Sequence, residues 1–219
     1  MVPFFDRDGI VIYHGDCRDV LPSIDPASVD LLLTDPPYGI SNPDDYSATR
    51  NTLRTYAAIA GDAQDFDPSH LLRYGRCVLW GANNYSSRLP DASAWIVWDK
   101  ACQAMPTGFR NSEAELAWTN VTRRMQVMRH QWIGSVRTGE RGSFLHPTQK
   151  PVALMRWIID RWTEPGDLVL DPYMGSGPVA QACHELGRRY IGVELVEDYC
   201  KVAVSRLAQQ TLDLDGGAA

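Results

Sequence analysis

The hexapeptide Thr-Asp-Pro-Pro-Tyr-Gly, residues 34–39, has the residue types of a reactive site and directly follows an apolar run. Pro36 and Pro37 cannot continue a strand, because each lacks a backbone N–H and has a fixed φ. The pattern predicts a rigid strand end that presents the Asp35 carboxylate, backbone carbonyls and the Tyr38 ring. In open α/β sheets, ligands bind at this edge. A plain turn that ends the strand is the alternative, since Asp and Pro are common turn residues.

A second group of candidate residues is Asp-Pro-Tyr-Met-Gly-Ser-Gly, residues 171–177. Its glycines begin a G-x-G-x-x-A pattern after an apolar run, and Pro178 suits the first position of a helix. Glycines let a ligand approach the backbone, and a helix N-terminus favours an anionic group. Glu194 ends the next apolar run, where an acid can accept hydrogen bonds from ribose hydroxyls. The order of these elements predicts a nucleoside-containing cofactor.

The position of Asp171 helps to identify the class of cofactor. A carboxylate ahead of the glycines repels a pyrophosphate and suits a cationic group, such as the ammonium of a methionine moiety. A dinucleotide fold also usually begins with such a glycine unit, whereas here the unit comes last. An oxidoreductase that binds NAD is therefore the weaker alternative.

Alternating apolar and helical segments predict the elements that position these residues. Strands are predicted at Ile10–His14, Val29–Thr34, Cys77–Trp80, Trp95–Trp98, Ala114–Trp118, Leu168–Asp171 and Tyr190–Glu194, and helices at about 68–74, 151–162, 178–187 and 197–210. Strands that alternate with helices indicate a doubly wound, mostly parallel α/β sheet. We expect a single domain over 1–219, with a short basic insertion at about 119–145, a long irregular stretch at 41–67 and a disordered tail at about 212–219.

The charge distribution points to a polyanionic partner. The net charge is −6, yet residues 121–150 hold six basic residues and one acidic residue, with aromatic residues between them. A basic segment on an acidic body is a typical footprint for nucleic acid, although a solvated basic loop is the alternative. The five cysteines are scattered and predict no disulfide framework or metal site. No apolar run suits a membrane span and no leader pattern begins the chain, so we expect a cytoplasmic protein.

Together these motifs resemble those of the β-arrangement amino-group DNA methyltransferases. Asp-Pro-Pro-Tyr is similar to the catalytic motif of that family, Asp-Pro-Tyr-Met-Gly-Ser-Gly to its cofactor loop, and His-Pro-Thr-Gln-Lys-Pro, residues 146–151, to the segment upstream of that loop. The motifs stand in the family's permuted order. Tyr173 and Pro178 depart from the more common phenylalanine and threonine, and the target-recognition segment, about 119–145, is short.

The resemblance implies a Rossmann-like, seven-stranded methyltransferase sheet, S-adenosyl-L-methionine as cofactor, double-stranded DNA as partner and no metal. It implies a catalytic set of Asp35, Pro36, Pro37 and Tyr38. It implies a cofactor-binding set of Asp16, Cys17, Asp35, His146, Thr148, Lys150, Asp171, Tyr173, Gly175, Ser176, Gly177 and Glu194. Candidate DNA-binding residues are Arg50, Arg54, Arg123, Arg124, Arg129, Arg137 and Arg141. For Asp16, a role as a helix N-cap is an equal alternative.

The resemblance favours methylation of adenine N6 in DNA, in a bacterial or phage-encoded restriction–modification setting. The Asp35 carboxylate and the Pro36 carbonyl can each accept an N–H of the exocyclic amine, which stabilises charge that develops on nitrogen. Tyr38 offers a ring for stacking, and the base must be flipped out of the duplex. Cytosine N4 is the alternative target, although Ser at the Asp35 position is more usual there. A non-catalytic nucleic-acid-binding module is a further alternative, and a homodimer is compatible with the sequence.

Overall fold

The computed structural model describes residues 1–39, 64–91, 94–102, 112–133, 136–137 and 149–215. Each of the seven apolar runs forms a strand at its expected place. These strands are β2 (Ile10–His14), β3 (Leu31–Thr34), β4 (Cys77–Trp80), β5 (Ala94–Asp99), β6 (Ala114–Thr119), β10 (Leu168–Asp171) and β11 (Arg189–Glu194). β3, β4 and β10 are buried along their whole lengths. Their mainly apolar side chains suit this burial, since the strands of a parallel sheet are covered on both faces.

Two short strands that the sequence did not predict extend the sheet at its edges. β1 (Phe5–Arg7) pairs with β2 at one edge, and β7 (Gln126–Arg129) pairs with β5 at the other. The described residues therefore form a sheet of nine strands, in the order β1-β2-β11-β10-β3-β4-β6-β5-β7, not the seven expected. A separate hairpin joins β8 (Trp132–Ile133) to β9 (Val136–Arg137). The described part of the expected basic insertion thus contains one sheet strand and this hairpin.

The central strands are parallel, as the alternation of strands and helices predicts. β2, β11, β10, β3 and β4 run parallel to one another, whereas β6 is antiparallel to both β4 and β5. β2, which is early in the chain, lies beside β11, which is late. The end of β2 and the end of β11, at Glu194, therefore lie side by side.

Four α-helices occur in the described residues. They are α1 (Cys17–Val20), α2 (Val152–Trp162), α3 (Pro178–Leu186) and α4 (Glu197–Asp215). The helix predicted at 68–74 is wrong, since this segment forms turns. α1 was not predicted because it is a single turn. α4 continues to Asp215, past the expected start of the disordered tail.

Helices and irregular segments cover both faces of the sheet. On one face, Leu31 and Leu33 of β3 join a core that includes Leu154, Ile158 and Cys183 from α2 and α3. On the other face, the intervening residue Leu32 packs with α1 and the turn segments. The period-2 alternation of β3 therefore places successive side chains in two separate cores. This doubly covered sheet leaves its carboxyl edge available for a site.

Candidate functional site at the carboxyl edge of the sheet

The parallel pairing of β3 and β10 brings the two sequence motifs together. Leu32 of β3 lies opposite Leu170 of β10, so both strands end at the same edge. There the Thr34 hydroxyl donates a hydrogen bond of 2.6 Å to the Asp171 carboxylate, across 137 residues of sequence. The Asp-Pro-Pro-Tyr segment and the glycine loop are consequently neighbours.

A pocket of about 410 Å³ opens between these two segments. Its lining includes Asp35 from the first motif, Lys150 from the segment before α2, and most of the glycine loop. The lining residues are Thr34, Asp35, Trp80, Gln149, Lys150, Met155, Asp171, Tyr173, Met174, Gly175, Ser176, Pro178 and Val179. Binding sites for small molecules commonly combine apolar walls with a few polar groups in this way.

Asp171 is a buried carboxylate in the wall of this pocket. It accepts hydrogen bonds from the Thr34 hydroxyl at 2.6 Å, the Tyr173 backbone N–H at 3.2 Å and the Tyr190 hydroxyl at 3.4 Å. Burial raises its pKa to about 7, although these hydrogen bonds oppose the rise. A bound cation would favour the ionised form, which fits the predicted pairing with an ammonium group.

Glu194 shapes the glycine loop from the neighbouring strand. Its two carboxylate oxygens accept the backbone N–H groups of Gly175 and Val196, both at 2.8 Å. Burial raises the pKa of this carboxyl group. Since each carboxylate oxygen has more than one lone pair, the predicted ribose contact stays open to Glu194.

The loop returns to α3 through Gly177, which has a φ of 76°. A Cβ atom here would lie 2.7 Å from the Cβ of Ala203 in α4, so only glycine allows this close packing. Ser176 is buried, and Arg206 of α4 donates to its backbone and hydroxyl oxygens at 3.3 Å. Two of the predicted cofactor residues therefore also hold the loop in place.

Asp16 and Cys17 lie at the start of α1, beside the end of β2. Asp16 is the N-cap of α1, and its carboxylate accepts the Arg18 backbone N–H at 2.9 Å and pairs with the Arg18 guanidinium. The N-cap alternative is therefore correct, and the predicted cofactor contact stays a prediction. Cys17 is buried, and burial raises the pKa of its thiol, which does not favour a nucleophile.

Asp35 lies among hydrogen-bonding groups at the other side of the pocket. Its Oδ1 accepts the Tyr38 hydroxyl at 2.6 Å, and its Oδ2 accepts the Lys150 ammonium at 2.5 Å. Burial raises the pKa of Asp35, and the positive charge of Lys150 opposes this. The carboxylate is thereby held in one orientation, which is what an acceptor for a substrate amine requires.

This geometry bears on two predicted roles. The sequence interpretation gave Lys150 a contact with the cofactor or with solvent, but its ammonium is buried and bound by Asp35. Tyr38, which was expected to offer a ring for stacking, donates its hydroxyl to Asp35 and packs its ring against Gly81, and the stacking role stays a prediction. A Cβ on Gly81, where φ is 65°, would lie only 1.8 Å from the Tyr38 ring.

Sequence reasoning gave no role to two further charged residues at the site. Glu115 of β6 lies 3.0 Å from the Lys150 ammonium, and Lys100 donates to Glu115 at 2.8 Å. Lys100 follows Trp98 and Asp99 at the end of β5, and Glu115 lies within an apolar run, so neither residue belongs to the three motifs. Their contact with Asp35 through Lys150 required the fold to be known.

The described part of the basic segment lies at the β7 edge. Arg123, Arg124 and Arg129 are exposed, and Arg129 is 3.5 Å from Asp99. Arg137 is described only as part of β9. Arg50, Arg54, Arg141, His146 and Thr148 lie outside the described residues.

Two further features concern partners. Within the described ranges, no group of three or more His, Cys, Asp or Glu residues has an arrangement that could hold a metal ion. Over the same residues, no helix is long and apolar enough to cross a membrane.

Comparison with known proteins identifies relatives of the whole chain. A family model described as DNA methylase, of the N6/N4 type, matches residues 97–205. The Type II methyltransferase M2.DpnII of Streptococcus pneumoniae is 25% identical over 94% of this chain and 92% of its own. M2.LlaDCHI of Lactococcus lactis subsp. cremoris, also a Type II methyltransferase, is 24% identical over 94% of this chain and 91% of its own.

Solved structures share the fold. The crystal structure of an M1.HpyAVI–SAM complex superposes with a TM-score of 0.57 and 25% identity, over 90% of this chain and 98% of the other. The cytosine-N4-specific PvuII DNA methyltransferase superposes with a TM-score of 0.61 over 90% of this chain and 86% of its own, at 16% identity. The latter likeness concerns the fold alone.

The raised pKa of Asp171 predicts a pH dependence of stability. A carboxyl group whose pKa is higher in the folded state opposes folding once it ionises, so stability falls as pH rises from its unfolded pKa towards about 7. The isosteric change Asp171→Asn removes this loss. Between about pH 5 and pH 7, the free energy of unfolding of the variant relative to the wild type should increase by about 2–3 kcal/mol. Urea denaturation at each pH measures it.

Asp160→Asn, at an exposed position of α2, provides the control and should give a difference that is constant with pH. A constant difference for Asp171→Asn as well would mean that the carboxylate ionises normally in the folded protein.

Proposed function

Because this chain belongs to the N6/N4 DNA methylase family, we propose that it transfers a methyl group from S-adenosyl-L-methionine to N6 of adenine in double-stranded DNA. Dependence on S-adenosylmethionine and action on DNA follow from the family. The observation that carries the choice of site is the pocket itself, which is lined by both Asp35 and the glycine loop. A substrate amine at Asp35 would therefore face a cofactor held by the loop.

The chemistry of the pocket lining fits the cofactor. Asp171 offers a buried carboxylate for an ammonium, Glu194 an acceptor for ribose, and residues 174–177 a turn at the start of α3. When bound, S-adenosylmethionine supplies an electrophilic methyl group on a sulfonium. We assign Asp171, Glu194 and the loop to its binding.

Asp35 and Pro36 supply the groups that act on the substrate. The lone pair of an exocyclic amine is delocalised into the base, which makes the amine a poor nucleophile. Hydrogen bonds from its N–H groups to the Asp35 carboxylate and the Pro36 carbonyl would localise that lone pair and stabilise the positive charge that develops on nitrogen. Pro36 and Pro37 make the acceptors rigid, so little reorganisation is needed.

Tyr38 and Gly81 support this arrangement. The Tyr38 hydroxyl donates to Asp35 Oδ1, and its ring fills the space beside Gly81. We therefore propose that Tyr38 chiefly orients Asp35, and that its ring also borders the position of a flipped base. His146, Thr148 and Tyr173 keep their proposed roles near the cofactor through the family motifs, as do Asp16 and Cys17 near its adenine.

The basic edge supplies a surface for the DNA backbone. Arg123, Arg124 and Arg129 are exposed around β7, next to β5 and therefore on the same sheet as the pocket. Arginines that contact phosphates position a protein without reading sequence. A short recognition segment of this kind favours a target of a few base pairs or relaxed specificity. A homodimer would extend the footprint.

The relatives suggest the biological setting. Since the two Type II methyltransferases come from bacteria, we propose a bacterial or phage-encoded enzyme that acts in the cytoplasm as part of restriction–modification.

The central test is the identity of the product and its dependence on Asp35. Wild-type protein incubated with genomic DNA and S-adenosylmethionine should yield N6-methyladenine on nucleoside mass spectrometry. Asp35→Asn should lower the single-turnover rate by roughly 100-fold or more, because a charged acceptor is lost, while cofactor affinity by calorimetry stays nearly the same. Asp6→Asn, an exposed change in β1, is the control. N4-methylcytosine as the sole product, or full activity of Asp35→Asn, would contradict the proposal.

A second prediction concerns Glu194. Glu194→Gln should weaken S-adenosylmethionine binding by roughly 10-fold or more, since hydrogen bonds to a charged group contribute about 1.5–3 kcal/mol. Titration calorimetry measures the dissociation constant. Glu197→Gln, at the exposed start of α4, should leave it unchanged. Equal affinities in the two folded variants would place the ribose elsewhere.

A third prediction concerns the basic edge. Replacing Arg123 and Arg124 together by Gln should weaken DNA binding to all sequences alike and reduce the slope of log affinity against log salt by about 2. Fluorescence anisotropy at several salt concentrations gives both quantities. Arg7→Gln, on β1 at the opposite edge of the sheet, is the control. An unchanged slope for the double variant would remove this edge from the DNA interface.

A further inference from the structure

Four side chains of alternating charge form a continuous line that ends at Asp35. Lys100 donates to Glu115 at 2.8 Å, Glu115 lies 3.0 Å from Lys150, and Lys150 donates to Asp35 at 2.5 Å. The Lys150 side chain is only 5% exposed, and the Lys100 side chain only 13%. Two positive and two negative charges thus balance in a site where the lysines are largely buried and the two carboxylates are partly exposed.

Three separate parts of the fold build this line. The antiparallel register of β5 and β6 places Trp98 opposite Glu115, so Lys100, just after β5, lies near Glu115. Lys150 directly precedes α2, and Asp35 directly follows β3. The line therefore connects the antiparallel part of the sheet with its parallel part.

This line of charges helps Asp35 to stay ionised. A buried carboxylate without a partner takes up a proton, because burial disfavours its charged form. Protonated Asp35 would lose the charge that makes it a strong acceptor for a substrate amine. Lys150 supplies the opposing charge within hydrogen-bond distance.

Glu115 in turn holds Lys150. Although burial acts to lower it, the carboxylates of Asp35 and Glu115 keep the pKa of Lys150 well above its ordinary value. Although burial acts to raise it, Lys150 and Lys100 lower the pKa of Glu115 to about 2. Lys150 and Glu115 are therefore both charged across the range in which the enzyme would work.

We propose that Lys150, anchored by Glu115, is the positioning residue that keeps Asp35 ionised and directs its carboxylate towards the substrate amine. This inference rests on the proposed function, because it concerns how Asp35 acts on that amine. It assigns the lysine of the His-Pro-Thr-Gln-Lys-Pro segment to the substrate side of the pocket.

Several other titratable groups face Asp35 and also affect its pKa, so the test must separate the effect of Lys150 from theirs. They are Tyr38 on its own segment, Lys150 before α2, Glu115 on β6, Asp171 on β10 and Tyr85 after β4. Among these groups Lys150 provides the positive charge. Glu115 acts directly to raise the pKa of Asp35, so its removal and the removal of Lys150 have opposite electrostatic effects.

The experiment compares the pH dependence of the single-turnover rate in two variants. In Lys150→Met, the acidic limb of the pH–rate profile, where the rate rises as Asp35 ionises, should move to higher pH by about one unit or more. Activity should be recovered at alkaline pH. In Glu115→Gln, the plateau rate should fall because Lys150 loses its anchor, while the acidic limb moves to lower pH. Lys150→Arg should restore a limb close to that of the wild type.

Lys201→Met serves as the matched control, because Lys201 is 57% exposed and pairs only with residues of its own helix in the described structure. Its profile should match the wild type. If both site variants lose activity equally at every pH, the line is merely structural and the inference is wrong. If Lys150→Met does not fold, the direction of the Glu115→Gln limb decides alone, and an unmoved or raised limb overturns the inference.

The result also distinguishes this inference from the proposed function. Failure of the wild type to form N6-methyladenine, or full activity of Asp35→Asn, would refute the proposed function whatever Lys150 does. Methylation that depends on Asp35, together with unmoved acidic limbs, would refute only the role of Lys150.

Discussion

The parallel pairing of β3 with β10 is the constraint on which the site depends. It aligns Leu31 with Val169 and Leu32 with Leu170, so the next residues of both strands reach the edge at the same level. The buried hydrogen bond from Thr34 to Asp171 joins the two ends. A shift of one residue in register would turn these side chains to the opposite face and separate Asp35 from the glycine loop. The apolar residues of β3 and β10, buried on both faces of the sheet, fix that register.

The two carboxylates of the site, Asp171 and Asp35, have different surroundings. Asp171 lies deep beside Thr34 and Tyr190, whereas Asp35 lies beside Lys150 and Tyr38. The first is suited to a cation that arrives with the cofactor, and the second is already paired by a protein cation. In the proposed reaction, the ammonium of the methyl donor would meet the anionic Asp171, and the neutral amine would meet Asp35, whose charge Lys150 balances. The basic edge around β7 is separate from this balance and faces solvent.

Much of the fold could be predicted from the sequence, because most of its strands are apolar runs of recognisable length. All seven predicted strands are present, and the helices around 151–162, 178–187 and 197–210 are confirmed. The edge strands β1 and β7 were not predicted, because their charged and exposed residues do not form the apolar run of a buried strand. The helix predicted at 68–74 is wrong, because proline and polar residues there favour turns, and Leu71 is buried from within these turns.

The site was predictable where a motif carries its own chemistry and less so where the fold supplies the partner. Asp35, Asp171 and the glycine loop do converge on one pocket. The contacts of Lys150 and Tyr38 with Asp35 were not predicted, because nothing local to either residue shows them. Glu115 and Gly81 had no predicted role for the same reason, since each meets its partner only through the sheet.

The central claim is that one pocket presents a substrate amine on Asp35 to the methyl donor held by the glycine loop. A crystal structure of the protein with a duplex oligonucleotide and a non-transferring amine analogue of S-adenosylmethionine tests it most directly. The account predicts an adenine flipped out of the duplex, with its N6 within hydrogen-bond distance of Asp35 and the Pro36 carbonyl, and the amino acid end of the analogue at Asp171. An analogue bound away from the glycine loop, or a flipped base without contact to Asp35, would contradict it.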